Sequence, residues 1–188
     1  TYSITNSHAF GAVNANASSS DNVGGLIGYN KGVNLNNVSA KGAVTGRNTV
    51  GGLVGHNQDS DITNANTFAT STVTASGNNV GGLIGYNYSA NSNTYSITNS
   101  HALGDVEVNS TSSTSVGGLI GRNLNSNLNN VSATGDVSAN AASGTSYAGG
   151  LVGENNGGAI SNSSASDNVS VNITGGIAYV GGLVGHND

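Results

Sequence analysis

Residues 80–87, with the sequence VGGLIGYN, decide the fold of this chain, because the same block recurs along its whole length. The six copies follow one another at spacings of 27, 30, 36, 32 and 32 residues. Their first residues are Val23, Val50, Val80, Val116, Ala148 and Val180. Repetition at a period of about 20–50 residues is typical of proteins whose successive repeats stack on one another.

A second, looser block lies between these copies. In it an aliphatic residue is followed two positions later by Asn and, three positions beyond that, by a small residue. The aliphatic residues are Ile4, Leu35, Ile62, Ile97, Leu128 and Ile160. Longer segments also recur: TYSITNSHA at 1–9 returns at 94–102, and NLNNVSA at 34–40 returns at 127–133. The chain therefore looks like three repeats duplicated into six.

Each repeat has the pattern of β-strands. Its apolar residues alternate with Ser, Thr and Asn, which predicts two or three short strands joined by turns. Roughly 30 residues suffice for one rung of a three-sided coil whose strands pair in parallel with those of the next rung, about 4.8 Å away. The absence of Pro favours this fold, since almost every backbone N–H in such a coil donates to a neighbouring strand.

We therefore predict an all-β protein, a parallel β-solenoid (β-helix) of about six rungs that we expect to be right-handed. The whole chain, 1–188, is predicted to form this single domain. Its six rungs are predicted at residues 1–30, 31–57, 58–87, 88–123, 124–155 and 156–188.

Stacking places equivalent residues of successive rungs in columns. The Leu of each block is predicted to form an interior column: Leu26, Leu53, Leu83, Leu119, Leu151 and Leu183. The final Asn of each block is predicted to form a ladder: Asn30, Asn57, Asn87, Asn123, Asn155 and Asn187. Each side-chain amide in such a ladder can donate to one neighbour and accept from the other, whereas stacked charges would repel. This explains a chain rich in Asn with only 7% charged residues.

The Gly-Gly pair before each Leu predicts a corner of the coil, where positive φ or a close backbone approach excludes a side chain. The aliphatic residue after each Leu then has two possible placements. Either the corner turns it inward with the Leu, which is our expectation, or an aliphatic stripe runs along the outside as a lateral contact surface. The residues concerned are Ile27, Val54, Ile84, Ile120, Val152 and Val184.

Composition argues against several classes of function. Only four residues are Lys or Arg and the net charge is −5, so the chain has no basic patch for nucleic acid. No window approaches 18 consecutive apolar residues, so we expect no membrane insertion by this segment. Without Cys there is no disulfide, thiolate nucleophile or Cys-bound metal, and we expect no cofactor.

Few residues could carry chemistry. Asp105 and Asp136 lie at equivalent positions of adjacent rungs, where paired carboxylates make a weak candidate cation site. The four His residues are too far apart in their columns to bind a metal together. A polysaccharide-cleaving enzyme would need clustered carboxylates with Arg or Lys, and Arg47 and Arg122 are the only arginines. We therefore predict no catalytic residue and no enzyme.

The residue before the final Asn of each block varies most and is predicted to be exposed. These residues form a strip: Tyr29, His56, Tyr86, Arg122, Glu154 and His186. Within it we predict a cation–π contact between Arg122 and Tyr86 and an ion pair between Arg122 and Glu154. The strip is either a solvated ladder worth little energy or a recognition surface for a glycan or a protein.

The six blocks resemble the GLUG motif, named for its Gly-Leu-any-Gly core and found in large bacterial surface and secreted proteins. These include filamentous-haemagglutinin-like adhesins and the region outside the catalytic domain of some immunoglobulin A peptidases. The resemblance implies a β-solenoid segment of an extracellular protein that serves as a stalk, spacer or adhesive surface. No catalytic residue carries over, because the zinc motif HExxH of the peptidases is absent from this sequence.

From these observations we expect a non-enzymatic structural or adhesive β-solenoid, the shaft of a bacterial surface adhesin or fibre, secreted or held at the cell surface. Two alternatives stay open. The chain could be a filament subunit that stacks head to tail through uncapped ends, or a carbohydrate-binding module. Its partner would accordingly be a second copy of itself, end to end or side by side, or a glycan or protein on a host surface.

Overall fold

The computed structural model of the chain describes residues 2–15, 21–67, 71–91, 94–166 and 168–188. In these residues all regular secondary structure is β-strand, and the strands pair in parallel. They form four sheets that run along one axis, and the chain winds around this axis in a solenoid of about six turns. The prediction of an all-β parallel β-solenoid is confirmed.

The first half of each rung lies in sheets A and B, and the sheet A part is divided into two short strands in the third and sixth rungs. Sheet A contains Tyr2–Ala9, Val33–Ala40, Ile62–Thr63, Asn66–Thr67, Ser96–Ala102, Asn127–Ala133, Ile160–Ser161 and Ser164–Ala165. Sheet B contains Val13–Asn14, Val44–Gly46, Val73–Ala75, Val106–Ser110, Val137–Ala141 and Val169–Ile173.

The last two strands of each rung lie on either side of the Gly-Gly-Leu corner and belong to sheets C and D. Sheet C contains Asn22–Gly24, Thr49–Gly51, Asn79–Gly81, Thr114–Gly117, Gly144–Gly149 and Gly176–Gly181. Sheet D contains Ile27–Lys31, Val54–Gln58, Ile84–Tyr88, Ile120–Leu124, Val152–Asn156 and Val184–Asn187.

The expected three-sided coil was wrong, because each rung contributes strands to four sheets. The repeated block is not one strand. It bends between Gly51 and Val54 in the second rung, and the residues before and after this bend pair in different sheets. In the part of the chain that the structure describes, no helix is long and apolar enough to cross a membrane.

Two apolar cores fill the coil. The first lies between sheet A and the corner with sheet D, and contains Leu53, Leu83, Leu119 and Leu151 at 0% exposure. The second lies between sheets B and C and consists mainly of Val. In the first and sixth rungs Leu26 is only partly buried and Leu183 is 39% exposed, because each contacts a described rung on one side only. Burying one such Leu side chain contributes about 1.5–3 kcal/mol.

The corner turns the residue after each Leu inward. Val54, Ile84, Ile120 and Val152 are 0% exposed and pack in the first core, so no aliphatic stripe runs along the outside of these rungs. In sheet A, Leu35 and Val38 are likewise both buried although they are three residues apart. The reason is a left-handed Asn at each equivalent position, which breaks the strict alternation. These Asn residues have φ values between 49° and 54°, and they are Asn6, Asn37, Asn64, Asn99, Asn130 and Asn162.

The glycines of the repeated block are required by close backbone approach. Gly55 and Gly85 in sheet D lie against the backbone of sheet C, and a Cβ on Gly85 would be 2.7 Å from the nitrogen of Val50 and 2.8 Å from the oxygen of Gly55. Neither glycine has positive φ. The Gly-Gly pair at Gly81 also lacks positive φ, and a Cβ on Gly81 would be 2.7 Å from the nitrogen of Gly121. Of the two reasons proposed for the Gly-Gly pair, close approach is the one that applies. Sheets C and D therefore meet backbone to backbone.

The Gly85→Ala substitution tests this contact. We expect it to lower the free energy of unfolding by about 1–3 kcal/mol or more, because backbone atoms of two sheets must move apart. Gly11→Ala is the matched control, since nothing lies within 4 Å of a Cβ at Gly11, and its effect should stay within about 0.5 kcal/mol. Urea unfolding followed by circular dichroism measures both. Equal effects would contradict the backbone contact.

The predicted Asn ladder is an unbroken chain of side-chain hydrogen bonds at the end of the sheet D strands. Each Nδ2 donates to Oδ1 of the next rung, at distances of 2.7, 2.9, 2.8, 2.8 and 2.8 Å from Asn30 to Asn187. The amides from Asn30 to Asn155 are at most 3% exposed. In four rungs the same nitrogen also donates to a backbone carbonyl three residues ahead. The ladder thus satisfies buried polar groups without any charge.

Replacement of Asn87 by Ala should be costly, because it leaves a donor on Asn57 and the acceptor of Asn123 unpaired in the interior. Each unsatisfied buried group costs about 1–3 kcal/mol, so we expect a loss of at least about 2 kcal/mol in urea unfolding. Asn140→Ala removes a comparable but exposed amide bond to Asn109 and serves as the control. A loss no larger than that of Asn140→Ala would show that the ladder does not stabilise the fold.

Candidate functional site

The predicted strip forms one column on the outer side of sheet D, but only Tyr29 is exposed as expected; the other five side chains are partly buried against their neighbours. The parallel register pairs its neighbours in order: Tyr29, His56, Tyr86, Arg122, Glu154 and His186. Tyr29 and His56 have ring centroids 4.9 Å apart, and His56 and Tyr86 4.8 Å. Both expected charge contacts are present: Arg122 Cζ lies 5.8 Å from the Tyr86 ring centre, and its Nε lies 3.2 Å from Glu154 Oε2.

A second outward column, on sheet C, was missed by sequence reasoning. Its members are paired by register: Asn22, Thr49, Asn79, Ser115, Tyr147 and Tyr179. It runs beside the strip but is offset by one rung, so that Ser115 Oγ donates to Glu154 Oε2 at 3.1 Å and the Tyr147 ring lies 4.8 Å from that of His186. These residues stand two positions before each Gly-Gly pair, a variable site that the repeat alignment could have revealed.

The two columns together form a ridge with an aromatic cluster towards each end. The first cluster contains Tyr29, His56, Tyr86 and Tyr88, whose rings contact one another in sequence. The second contains Tyr147, Tyr179 and His186, with Tyr147 and Tyr179 stacked at 5.4 Å.

A polar notch lies between the two aromatic clusters and has a volume of about 590 Å³. Arg122 and Glu154 line it from sheet D, and Ser115 and Tyr147 line it from sheet C. The Arg122 Nε–H does not point at Glu154, so their contact is an ion pair rather than an aligned hydrogen bond. The rest of the lining is neutral and polar: Asn78, Asn79, Ser112, Ser113, Thr114 and Thr145.

Burial shifts the pKa of two residues in the first aromatic cluster. Desolvation lowers the pKa of His56, whose Nε2 is buried and has no hydrogen-bond partner among the described residues. Desolvation raises the pKa of Tyr86; the charge of Arg122 opposes this, while Tyr88 and Glu154 add to it. His56 is therefore held as the neutral imidazole between two tyrosine rings.

The lowered pKa of His56 predicts a pH dependence of stability. The unfolded chain takes up a proton near pH 6.5, while the folded chain takes it up only at lower pH. The stability due to neutral His56 is thus fully present above about pH 6.5 and is lost as the pH falls through the folded pKa. In urea unfolding, the His56→Phe variant should lose less stability than the parent chain between about pH 7.5 and 5.5. Identical losses in the two chains would contradict the burial effect.

The candidate cation site uses its carboxylates for backbone hydrogen bonds. Asp105 Oδ1 accepts from the backbone N–H of Asp136 at 2.9 Å, and Asp136 Oδ1 accepts from the N–H and side-chain amide of Asn168 at 3.1 and 3.0 Å. Within residues 2–15, 21–67, 71–91, 94–166 and 168–188, no group of three or more His, Asp or Glu is placed to hold a metal ion. Each carboxylate therefore acts as a cap on the turn of the next rung.

Comparison with known proteins identifies the repeat. The family model described as the GLUG motif matches residues 46–74, 112–138 and 144–170. Each matched segment makes one turn of the coil, passing through sheets C, D and A and ending in sheet B. The resemblance to GLUG-motif repeat proteins is confirmed at these three repeats. Comparison with the curated proteins and with the solved structures gave no match. GLUG repeats on a β-solenoid fit a repeat-type extracellular protein.

Proposed function

We propose that this chain is a non-enzymatic structural segment, the shaft of an adhesive protein that is secreted or held on a bacterial surface. The observation that carries the proposal is the constant register of the coil. In sheets A, B, C and D each strand pairs in parallel with the equivalent strand of the next rung. The buried amide ladder follows the same register through all six rungs.

This arrangement suits a rigid spacer. One rung cannot shift relative to the next without breaking backbone hydrogen bonds in four sheets at once, together with one buried amide bond. A shift by one residue along any strand would also move its interior side chains to the outer face. The coil therefore resists bending and slipping, as a spacer between an anchor and a binding domain must.

Surface composition supports an extracellular shaft. The chain has no Cys that could be oxidised and few charged side chains. Its carboxylates at Asp21, Asp61 and Asp105 accept backbone N–H groups of the following rung. These Asp contacts join successive rungs and require no ligand, metal ion or reacting group.

Distances between spin labels test the rigid shaft. Asn14, Ser138 and Ser170 occupy one column of sheet B, in the first, fifth and sixth rungs. In the Cys-free chain, labels on Asn14→Cys with Ser138→Cys should lie about 19 Å apart along the axis, and labels on Asn14→Cys with Ser170→Cys about 24 Å. We expect narrow distributions by pulsed electron paramagnetic resonance.

Distributions as broad as those of the urea-unfolded chain would contradict the proposal, since a flexible spacer has no fixed length. The singly labelled Ser170→Cys protein is the control. A dipolar signal in that sample can arise only between molecules, and would indicate association of copies, the filament alternative, instead of an isolated shaft.

A further inference from the structure

The solenoid changes width between its third and fourth rungs. The sheet B strand has three residues in the third rung, Val73–Ala75, and five in the fourth, Val106–Ser110. The sheet C strand lengthens from three residues, Asn79–Gly81, to six in the fifth rung, Gly144–Gly149. The polar notch lies at this step, since its lining takes Asn78 and Asn79 from the narrow third rung and the other residues from the wider rungs.

Some polar groups of the notch have no partner within the fold, although Ser115 Oγ already donates to Glu154 Oε2. The side-chain amides of Asn78 and Asn79 make no hydrogen bond to any described residue, in contrast to the fully paired amide of Asn123 in the ladder. Arg122 Nε has no aligned acceptor, although it lies beside a carboxylate. The notch therefore offers amide, hydroxyl, guanidinium and carboxylate groups to a ligand that carries many hydroxyl groups.

The charges that line the notch favour a neutral ligand. Arg122 is already paired with Glu154 at 3.2 Å, so the two formal charges in the lining cancel. Glu154 is the less exposed of the two, at 13% against 37% for Arg122, and its carboxylate would repel an anion that entered the notch. The net charge of the chain, −5, acts in the same direction.

Tyr147 supplies an apolar wall. In its column it stands between Ser115 and Tyr179. Its ring stacks on Tyr179 at 5.4 Å and contacts the His186 ring at 4.8 Å, and with the small Ser115 it lines the notch. The C–H groups of a pyranose ring present an apolar face that packs on an aromatic ring. The Tyr86 ring is covered by Arg122 and does not line the notch, so it is less suited to this contact.

We propose that the notch binds a neutral saccharide, whose ring packs on Tyr147 and whose hydroxyl groups bond to Asn79, Ser115 and Glu154. Its volume, about 590 Å³, lies in the size class of small-ligand sites. The sugar is placed in the notch rather than along the whole strip, because the strip residues after Tyr29 are partly buried and its neighbouring rings pack against one another. The saccharide site rests on the proposed function in one respect: an extracellular role places the chain where it can meet a glycan.

The test is titration of the ¹⁵N-labelled full chain with soluble oligosaccharides, followed by amide chemical shifts. The neutral probes are lactose, cellobiose, mannobiose and chitobiose with their trisaccharides; sialyllactose is the acidic counterpart of lactose. We expect at least one neutral probe to shift the amides of Ser113, Ser115, Arg122 and Tyr147. If that probe is lactose, sialyllactose should bind at least tenfold more weakly.

Variants locate the site. Glu154→Gln and Tyr147→Ala should each weaken the binding of the responding neutral probe at least tenfold, as loss of a hydrogen bond to a charged group or of a stacking contact implies. Tyr29→Ala, at the far end of the strip, and Asn140→Ala, on sheet B, should leave the affinity unchanged. The dispersion of the amide spectrum shows that each variant is folded.

Three results would overturn the proposal: no neutral probe shifts the notch amides, the acidic sugar binds as tightly as its neutral counterpart, or Tyr29→Ala abolishes binding while Tyr147→Ala retains it. The spin-label distances are independent of these outcomes. If the coil is rigid and binds no sugar, the saccharide site is refuted and the rigid shaft is retained. If the coil is flexible and binds a sugar, the rigid shaft is refuted and the saccharide site is retained.

Discussion

Direct contact between the backbones of sheets C and D is the constraint on which the rest of the structure depends. Glycines such as Gly55 and Gly85 allow these sheets to approach so closely that no side chain fits between them. This contact separates the interior into two cores and turns both residues of each Leu-Val or Leu-Ile pair into the first of them. It also brings the outer columns of sheets C and D side by side, which creates the ridge and its notch.

Stacking explains why amides replace charges in the interior and why the few charges lie where they do. A column repeats every side chain at about 4.8 Å, so a buried carboxylate would meet its own kind in every rung. Asn avoids this because one group both donates and accepts. Charged residues are tolerated at turns, where backbone N–H groups neutralise them, and on the ridge, where Arg122 and Glu154 occupy consecutive rungs and attract each other.

Much of the fold could be predicted from the sequence, because aligning the repeats shows which residues of successive rungs pair with one another. The solenoid, the Leu and Asn columns and the order of the strip follow from aligning the six blocks. The corner at each Gly-Gly pair also follows from the sequence, but the division of the rung into four sheets does not, since Gly-Gly allows many backbone paths and tertiary contact selects one. The left-handed backbone of Asn99 and its equivalents was not predicted, since the repeat shows only that Asn recurs at this position. The notch depends on a contact between Ser115 and Glu154, 39 residues apart in different sheets.

The amide ladder gives the coil a direction. In all five bonds the nitrogen of one rung donates to the oxygen of the following rung, so the amide dipoles point the same way and polarise one another. An acceptor oxygen of Asn30 faces one end of the ladder and a donor nitrogen of Asn187 faces the other. Any rung added at either end must present the complementary group. The stack can thus be extended only with its polarity preserved, and two such coils meeting like end to like end would oppose donor to donor or acceptor to acceptor.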